Sequence, residues 1–238
     1  MANFGFARLS VVSPYAPHWR EARSAVGAPD LLLDAHETAT LAEAVAECSL
    51  VIGTGTLTHR KAEQKAVSLP ALAPLVQAEL AASGRIALVF GPEKHGLTRE
   101  DLSWCHLLVE IPTDPRQPSM NLGQAVAVCL YEIASRAFSN PEQASGRPGN
   151  ETAAGSIARN SIAAQSGNLD LLAGVIEETI LASGYSPQTM QAANRHDLRL
   201  LLRRLAPNAR DTRRMLGLFR RILWRIHHPP NGHTQDGK

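Results

Sequence analysis

The sequence predicts an α/β fold, a parallel sheet with helices on its faces, followed by a small all-α unit. Three observations predict it. Hydrophobic residues make up 44% of the chain but aromatic residues only 5%, a balance that favours helices and buried parallel strands over an all-β sandwich. In the first 138 residues, short β-rich apolar runs alternate with helical patterns, as crossover connections between parallel strands require. Beyond residue 166, apolar residues recur only at helical spacing.

In chain order, strands are expected at 9–12, 50–53, 86–91 and 107–111, and helices at 40–48, 71–82, 98–104 and 122–138. Thr98 is suited to cap its helix, with Glu100 and Asp101 at the positive end. The stretch SNPEQASGRPGNETAAGSIARNSIAAQS, residues 139–166, has two Pro, three Gly and no aromatic residue, and reads as a flexible linker. Helices are then expected at 169–183, 187–205 and 211–227, the second carrying Leu198, Leu201, Leu202 and Leu205 on one stripe. The chain thus divides into an α/β domain at 1–138, the linker, a helical domain at 167–230 and a tail at 231–238. No repeat of solenoid period occurs.

Charge and cysteine usage narrow the function classes. Net charge is +2 over 238 residues, but residues 195–225 hold ten Arg against Asp197 and Asp211, so this segment carries +8 and the remainder −6. Such a segment is either a solvated helix face or a surface that meets polyanions. Cys48, Cys105 and Cys129 are odd in number and form no CxxC pair, which argues against a disulfide frame and against a zinc site. There is no basic-then-apolar leader and no apolar run near eighteen residues, so a cytoplasmic protein with no membrane partner is expected.

Ligands of open α/β sheets bind beyond the carboxyl ends of the strands, and three such ends are unusual. Gly53-Thr54-Gly55-Thr56 follows the strand at 50–53. The run from Gly91 through Glu93 and Gly96 to Thr98 follows the strand at 86–91. The third loop runs from Pro112 to Pro118-Ser119-Met120-Asn121-Leu122, which opens a helix. Each has a bland reading: Gly53 and Gly55 make a turn without the third glycine of a dinucleotide fingerprint, and Ser119 is as well suited to cap a helix as to face a ligand. Their convergence at one sheet edge is what points to a site.

The strings FGPEKHGLT (residues 90–98) and IPTDPRQPSMNLGQAVAV (111–128) resemble, in order and spacing, two signature motifs of the SpoU-type RNA 2′-O-ribose methyltransferases of the SPOUT superfamily. VIGTGTLTHR (51–60) is similar to the family's cofactor loop, and the basic helical tail is similar to that of its TrmJ branch, which methylates a pyrimidine ribose in the tRNA anticodon loop. The resemblance implies a sheet ending in a trefoil knot, a homodimer, and S-adenosylmethionine bound in the knot. It implies cofactor contacts at Thr54, Gly55, Gly91, Gly96, Ile111, Ser119, Met120 and Leu122, and a catalytic end formed by Glu93, Ser119 and Asn121. RNA, with tRNA first, is the implied partner, met by Arg203, Arg204, Arg213, Arg214, Arg220 and Arg221. No metal is implied.

The resemblance also sets an expectation about the start of the chain. Met1-Ala2-Asn3-Phe4-Gly5-Phe6-Ala7-Arg8-Leu9 resembles the segment that follows the family's first motif, whose strand and catalytic Arg would then lie upstream of Met1. Two rival readings follow from the residues: an RNA-binding homologue impaired in catalysis, and an α/β enzyme acting on another nucleotide ligand. Cofactor binding and methyl transfer separate them.

Overall fold

The structure is a computed structural model that describes residues 1–15, 18–21, 27–55, 63–139 and 162–229. Its main sheet has four parallel strands in the order β4 (Lys65–Ser68), β6 (Leu107–Glu110), β3 (Leu50–Thr54), β5 (Ile86–Val89). The register sets Ile52 against Leu88 on one side and against Leu107 on the other. A smaller parallel pair joins β1 (Ser10–Val12) to β2 (His36–Thr38).

The apolar runs of β3 and β6 are unbroken because both faces of the sheet are covered. Successive side chains alternate between faces. Ile52, Leu107 and Val109 pack with Leu72 and Val76 of α3 (Leu72–Ala81) and with Cys129 and Ile133 of α5 (Leu122–Ser139). Val51 and Leu108 turn the other way, toward Val45 of α2 (Leu41–Val45) and Leu102 of α4 (Arg99–Ser103). Both short helices start as their sequences direct. The Thr40 side chain accepts a hydrogen bond from Glu43 N–H, and Thr98 and Asp101 form a reciprocal capping box.

Three elements escape the sequence reading. The short helix α1 (Pro29–Leu33) has Pro at its first turn. Strand β2 is the polar triplet His36-Glu37-Thr38, extended by pairing with β1 rather than by apolar alternation. Strand β4 has only Val67 partly buried and is held at the sheet edge by its ladder with β6, from Lys65 opposite Leu107 to Ser68 opposite Glu110.

The rest of the described chain is helical: α6 (Ser166–Ala182), α7 (Gln191–Leu205) and α8 (Ala209–His227). Leu172, Ala173 and Leu202 form their core, with Leu198, Met215, Leu216 and Phe219 around it. Residues 140–161, most of the expected linker, lie outside the described residues, as do 230–238. Helix α6 starts at Ser166, three residues before the expected 169, because Ser166 and Gly167 N–H groups donate to Cys48 and Ala46 carbonyls at 2.8 and 2.9 Å. Residues 162–165 are anchored too, since Ala163 bridges Asn208 and Ala164 is buried.

These helices seat on the amino-terminal edge of the sheet. Arg199 and Arg203, one turn apart on α7, stand over the Trp104 ring at 4.3 and 5.3 Å. Arg199 donates to Ser103 Oγ at 2.9 Å and pairs with Glu100. Arg203 is 2% exposed and donates to the Trp104 carbonyl at 3.0 Å, to Ser166 Oγ at 2.9 Å and to Asp170 at 3.0 Å. Burial pushes the Asp170 carboxyl above its ordinary range, and the Arg203 charge works against that shift.

His106 lies beside this junction and accepts at Nδ1 from Val51 N–H at 3.1 Å, which requires an unprotonated nitrogen there. Burial, reinforced by the Arg203 charge, pushes its pKa from 6.5 down to about 3. As pH falls, the unfolded chain therefore takes up this proton first. The stabilisation is complete above about pH 6.5 and is lost progressively toward pH 3, an effect of about 3 kcal/mol at pH 4. Urea midpoints measured between pH 7 and 4 should fall for the wild type. They should flatten for His106→Asn, whose carboxamide oxygen can still accept from Val51 N–H; an equally steep fall in that variant would place the acid sensitivity in other groups.

Candidate active site

Strands β5, β3 and β6 are parallel neighbours, so their carboxyl ends share one edge. Two hydrogen bonds tie those ends together: Thr54 Oγ1 donates to the Val89 carbonyl at 2.9 Å, and Gly55 N–H donates to the Val109 carbonyl at 3.3 Å. Three segments leave side by side, from Gly55, Phe90 and Ile111. Phe90 and Ile111 are partly buried against the sheet core and give this edge apolar walls.

The two glycines closest to this edge differ in their physical reason. A Cβ on Gly91 would lie 2.2 Å from the Gly96 carbonyl carbon and 2.3 Å from Leu97 N, so the loop closes backbone against backbone only with glycine there. Gly96 completes the turn with φ of +64° and donates its N–H to the Pro92 carbonyl at 2.8 Å. Leu97, 4% exposed, pins the loop's far end. Gly55, by contrast, is exposed, and among the described residues a Cβ on it would meet nothing within 4 Å. No described neighbour dictates glycine there.

The third segment carries its own scaffold. Asp114 accepts from the Arg116 backbone N–H and guanidinium, and that guanidinium holds the exposed carboxyl below its usual range. Met120 and Leu122 are half-buried, and Ser119 is exposed. It is Asn121, not named as a cap from the sequence, that caps α5. Its Oδ1 accepts from Gly123 N–H at 2.9 Å and from Gln124 N–H at 3.4 Å.

The structure brings Thr54, Gly55, Gly91 and Ile111 to one edge as adjacent strand ends. Glu93 is exposed on the loop between Gly91 and Gly96. The continuation of the first loop, residues 56–62, lies outside the described residues. Half-buried apolar walls and small residues fit an adenosine-containing cofactor, which needs flat apolar contact and backbone hydrogen bonds.

Among the arginines assigned to RNA, Arg203 requires correction. Its guanidinium is consumed inside the molecule, joining α7 to Trp104, Ser166 and Asp170, and is not available to a phosphate. Arg204 is exposed in a groove of about 440 Å³ shared with Glu63 and Asp197. Arg213, Arg214, Arg220 and Arg221 are exposed on α8; Arg213 Nε donates to the Ala209 carbonyl and Arg214 lies 3.8 Å from Asp211. The sequence reading missed the anchoring role of Arg199 and Trp104. Its one available signal was the four-residue spacing of Arg199 and Arg203, which puts both on one helix face.

Residues 1–131 match the SpoU rRNA Methylase family. The chain belongs to the SpoU rRNA methylase family. Within it, the chain is 31% identical over 241 residues to the tRNA (cytidine/uridine-2′-O-)-methyltransferase TrmJ of Escherichia coli, covering 99% of this chain and 90% of that protein. TrmJ of Shigella dysenteriae is likewise 31% identical, over 93% of this chain and 86% of that protein. Among solved structures, TrmJ from Z. mobilis superposes with a TM-score of 0.74 at 25% identity, covering 93% of this chain and 89% of that one. A probable methylase family protein from Haemophilus influenzae gives 0.54 at 25% identity, covering 95% and 87%. This SpoU-family chain therefore shares its architecture with TrmJ through the helical tail, well beyond the 131 residues that place it in the family.

Proposed function

We propose that this chain methylates a ribose 2′-hydroxyl of tRNA, at a pyrimidine of the anticodon loop of the nucleotide 32 type, as a homodimer with S-adenosylmethionine as donor. The observation that carries this reading is the likeness to TrmJ over nearly the whole chain, tail included. In this reading residues 1–138 form the methyltransferase domain, closed by a trefoil knot, and residues 167–230 form a basic helical domain.

When bound, S-adenosylmethionine supplies a sulfonium-activated methyl group, and no metal is needed. The chain's own residues do the rest. Thr54, Gly55, Gly91, Gly96, Ile111, Met120 and Leu122 hold the donor through backbone groups and apolar contact. A 2′-hydroxyl is a weak nucleophile and must be held in line with the methyl group and relieved of its proton. By the family resemblance Glu93, Ser119 and Asn121, on the loops that follow β5 and β6, orient the ribose and receive or stabilise charge there.

Labelled methyl transfer from S-adenosylmethionine into tRNA, followed by mapping of 2′-O-methylated positions, tests the proposal; tRNA left unlabelled under conditions of cofactor saturation sinks it. Because Asn121 also caps α5, its alanine variant would lose about 1 kcal/mol of stability for a reason unrelated to chemistry. Asn121→Asp keeps the capping oxygen and removes the amide donor. It should leave the thermal midpoint near wild type while lowering turnover about 10- to 100-fold. Wild-type turnover in a well-folded Asn121→Asp would remove Asn121 from the catalytic end.

A further inference from the structure

Helix α8 divides cleanly between its two sides. Thr212, Met215, Leu216 and Phe219 face the helical core, with Thr212 2% exposed. On the opposite side Arg210, Arg213, Arg214, Gly217, Arg220, Arg221, Trp224, Arg225 and His228 are all exposed. They follow one another at intervals of three and four residues, so they make a continuous strip about 27 Å long at 1.5 Å per residue. Three members are not arginines: Gly217, Trp224 and His228. The Trp224 indole and the His228 imidazole lie parallel, 4.7 Å between ring centroids and 15° between planes. Trp224 is nevertheless 57% exposed.

An exposed indole among guanidinium groups gives the strip a flat apolar plane that a face of arginines alone lacks. The pair is also held in place. His228 N–H donates to the Trp224 carbonyl at 2.9 Å, and its ring Nδ1 lies 3.0 Å from the same oxygen. Stacking His228 on one face fixes the plane of the indole. The exposed remainder stands among Arg220, Arg221 and Arg225, one helical turn or less away. An aromatic plane of fixed orientation flanked by guanidinium groups complements a flat, uncharged ring joined to phosphates. Base stacking on such planes is tolerant of sequence, while the arginines neutralise the backbone.

We propose that Trp224, backed by His228, is a stacking platform for an unpaired base of the RNA substrate, with Arg220, Arg221 and Arg225 on the adjoining phosphates. This rests on the proposed action on tRNA and adds a second, base-contacting site to it. A second copy of this chain is the competing occupant of the same strip.

The test is the affinity of the full-length protein for tRNA across a series of salt concentrations, for wild type, Trp224→Ala, Trp224→Phe and Arg221→Ala. Trp224→Ala should weaken binding about 5- to 150-fold, the range measured for loss of one stacked base, without changing the slope of log affinity against log salt. Trp224→Phe should recover most of the loss. Arg221→Ala should instead flatten the slope by nearly one counterion. S-adenosylmethionine affinity, measured on the same samples, should not move. Trp224→Ala binding within twofold of wild type at every salt overturns the platform and leaves the tRNA reading intact. A change in sedimentation behaviour with tRNA affinity preserved also overturns it, in favour of a second chain on this face. Wild-type protein that binds no tRNA overturns both.

Discussion

Replacing Arg203 with Ala should destabilise the protein by about 3–5 kcal/mol, the usual consequence of removing one member of a buried, hydrogen-bonded ion pair. The guanidinium satisfies a carbonyl, a hydroxyl and a carboxylate at once, and lies over the Trp104 ring. Its loss leaves Asp170 partly buried with its main counter-charge gone, where burial already disfavours ionisation. Arg203→Lys should recover little, because an ammonium cannot reproduce the planar fork that reaches Trp104, Ser166 and Asp170 together. Combining Arg203→Met with Asp170→Asn should recover more, since no buried charge is then left alone. Urea unfolding measures all three, and a loss below about 1 kcal/mol in Arg203→Ala would mean that other contacts seat the helices.

The second large effect is expected at Gly91. A methyl group there meets backbone atoms at 2.2 and 2.3 Å, and backbone cannot step aside as a flexible side chain can. Gly91→Ala should therefore force open the loop that runs to Leu97, costing about 1–3 kcal/mol of stability and weakening S-adenosylmethionine binding at least 10-fold. Gly55→Ala is the matched comparison, because no described residue lies within 4 Å of its Cβ. It should leave stability unchanged and weaken the cofactor alone. Calorimetric affinities beside thermal midpoints distinguish the two. Gly91→Ala with wild-type affinity would show that this loop is no part of the cradle, and Gly55→Ala with wild-type affinity would show that no ligand approaches there.

The parts of the fold that the sequence made legible are those whose signal is local. Strands β3, β5 and β6 lie within a residue or two of their apolar runs, and Thr98 begins its helix as its side chain directs. Strands β2 and β4 were not legible, because His36-Glu37-Thr38 and Lys65-Ala66-Val67-Ser68 are made extended by a partner distant in sequence. The same distinction holds at the site. Glycine spacing located the loops, but it did not reveal that Gly91 is dictated by its own loop and Gly55 by no described residue within 4 Å. Charge counting grouped Arg203 with Arg204 and Arg213, since a string of arginines carries no record of which one turns inward onto Trp104.

The helical tail is seated where strands begin, through Cys48 and Trp104, while the glycine loops stand where strands end. Five residues of β3 separate the two levels, about 17 Å at strand rise. A free nucleoside is too short to touch both. If the ligand is the proposed tRNA, gripped at the tail and altered at the loops, it spans both levels as an extended, rigid body, and length would be gauged as well as chemistry. Trimming such a substrate from its far end should then erode the rate in one step, at the cut that removes the last nucleotide able to reach the tail, and not in proportion to the nucleotides lost.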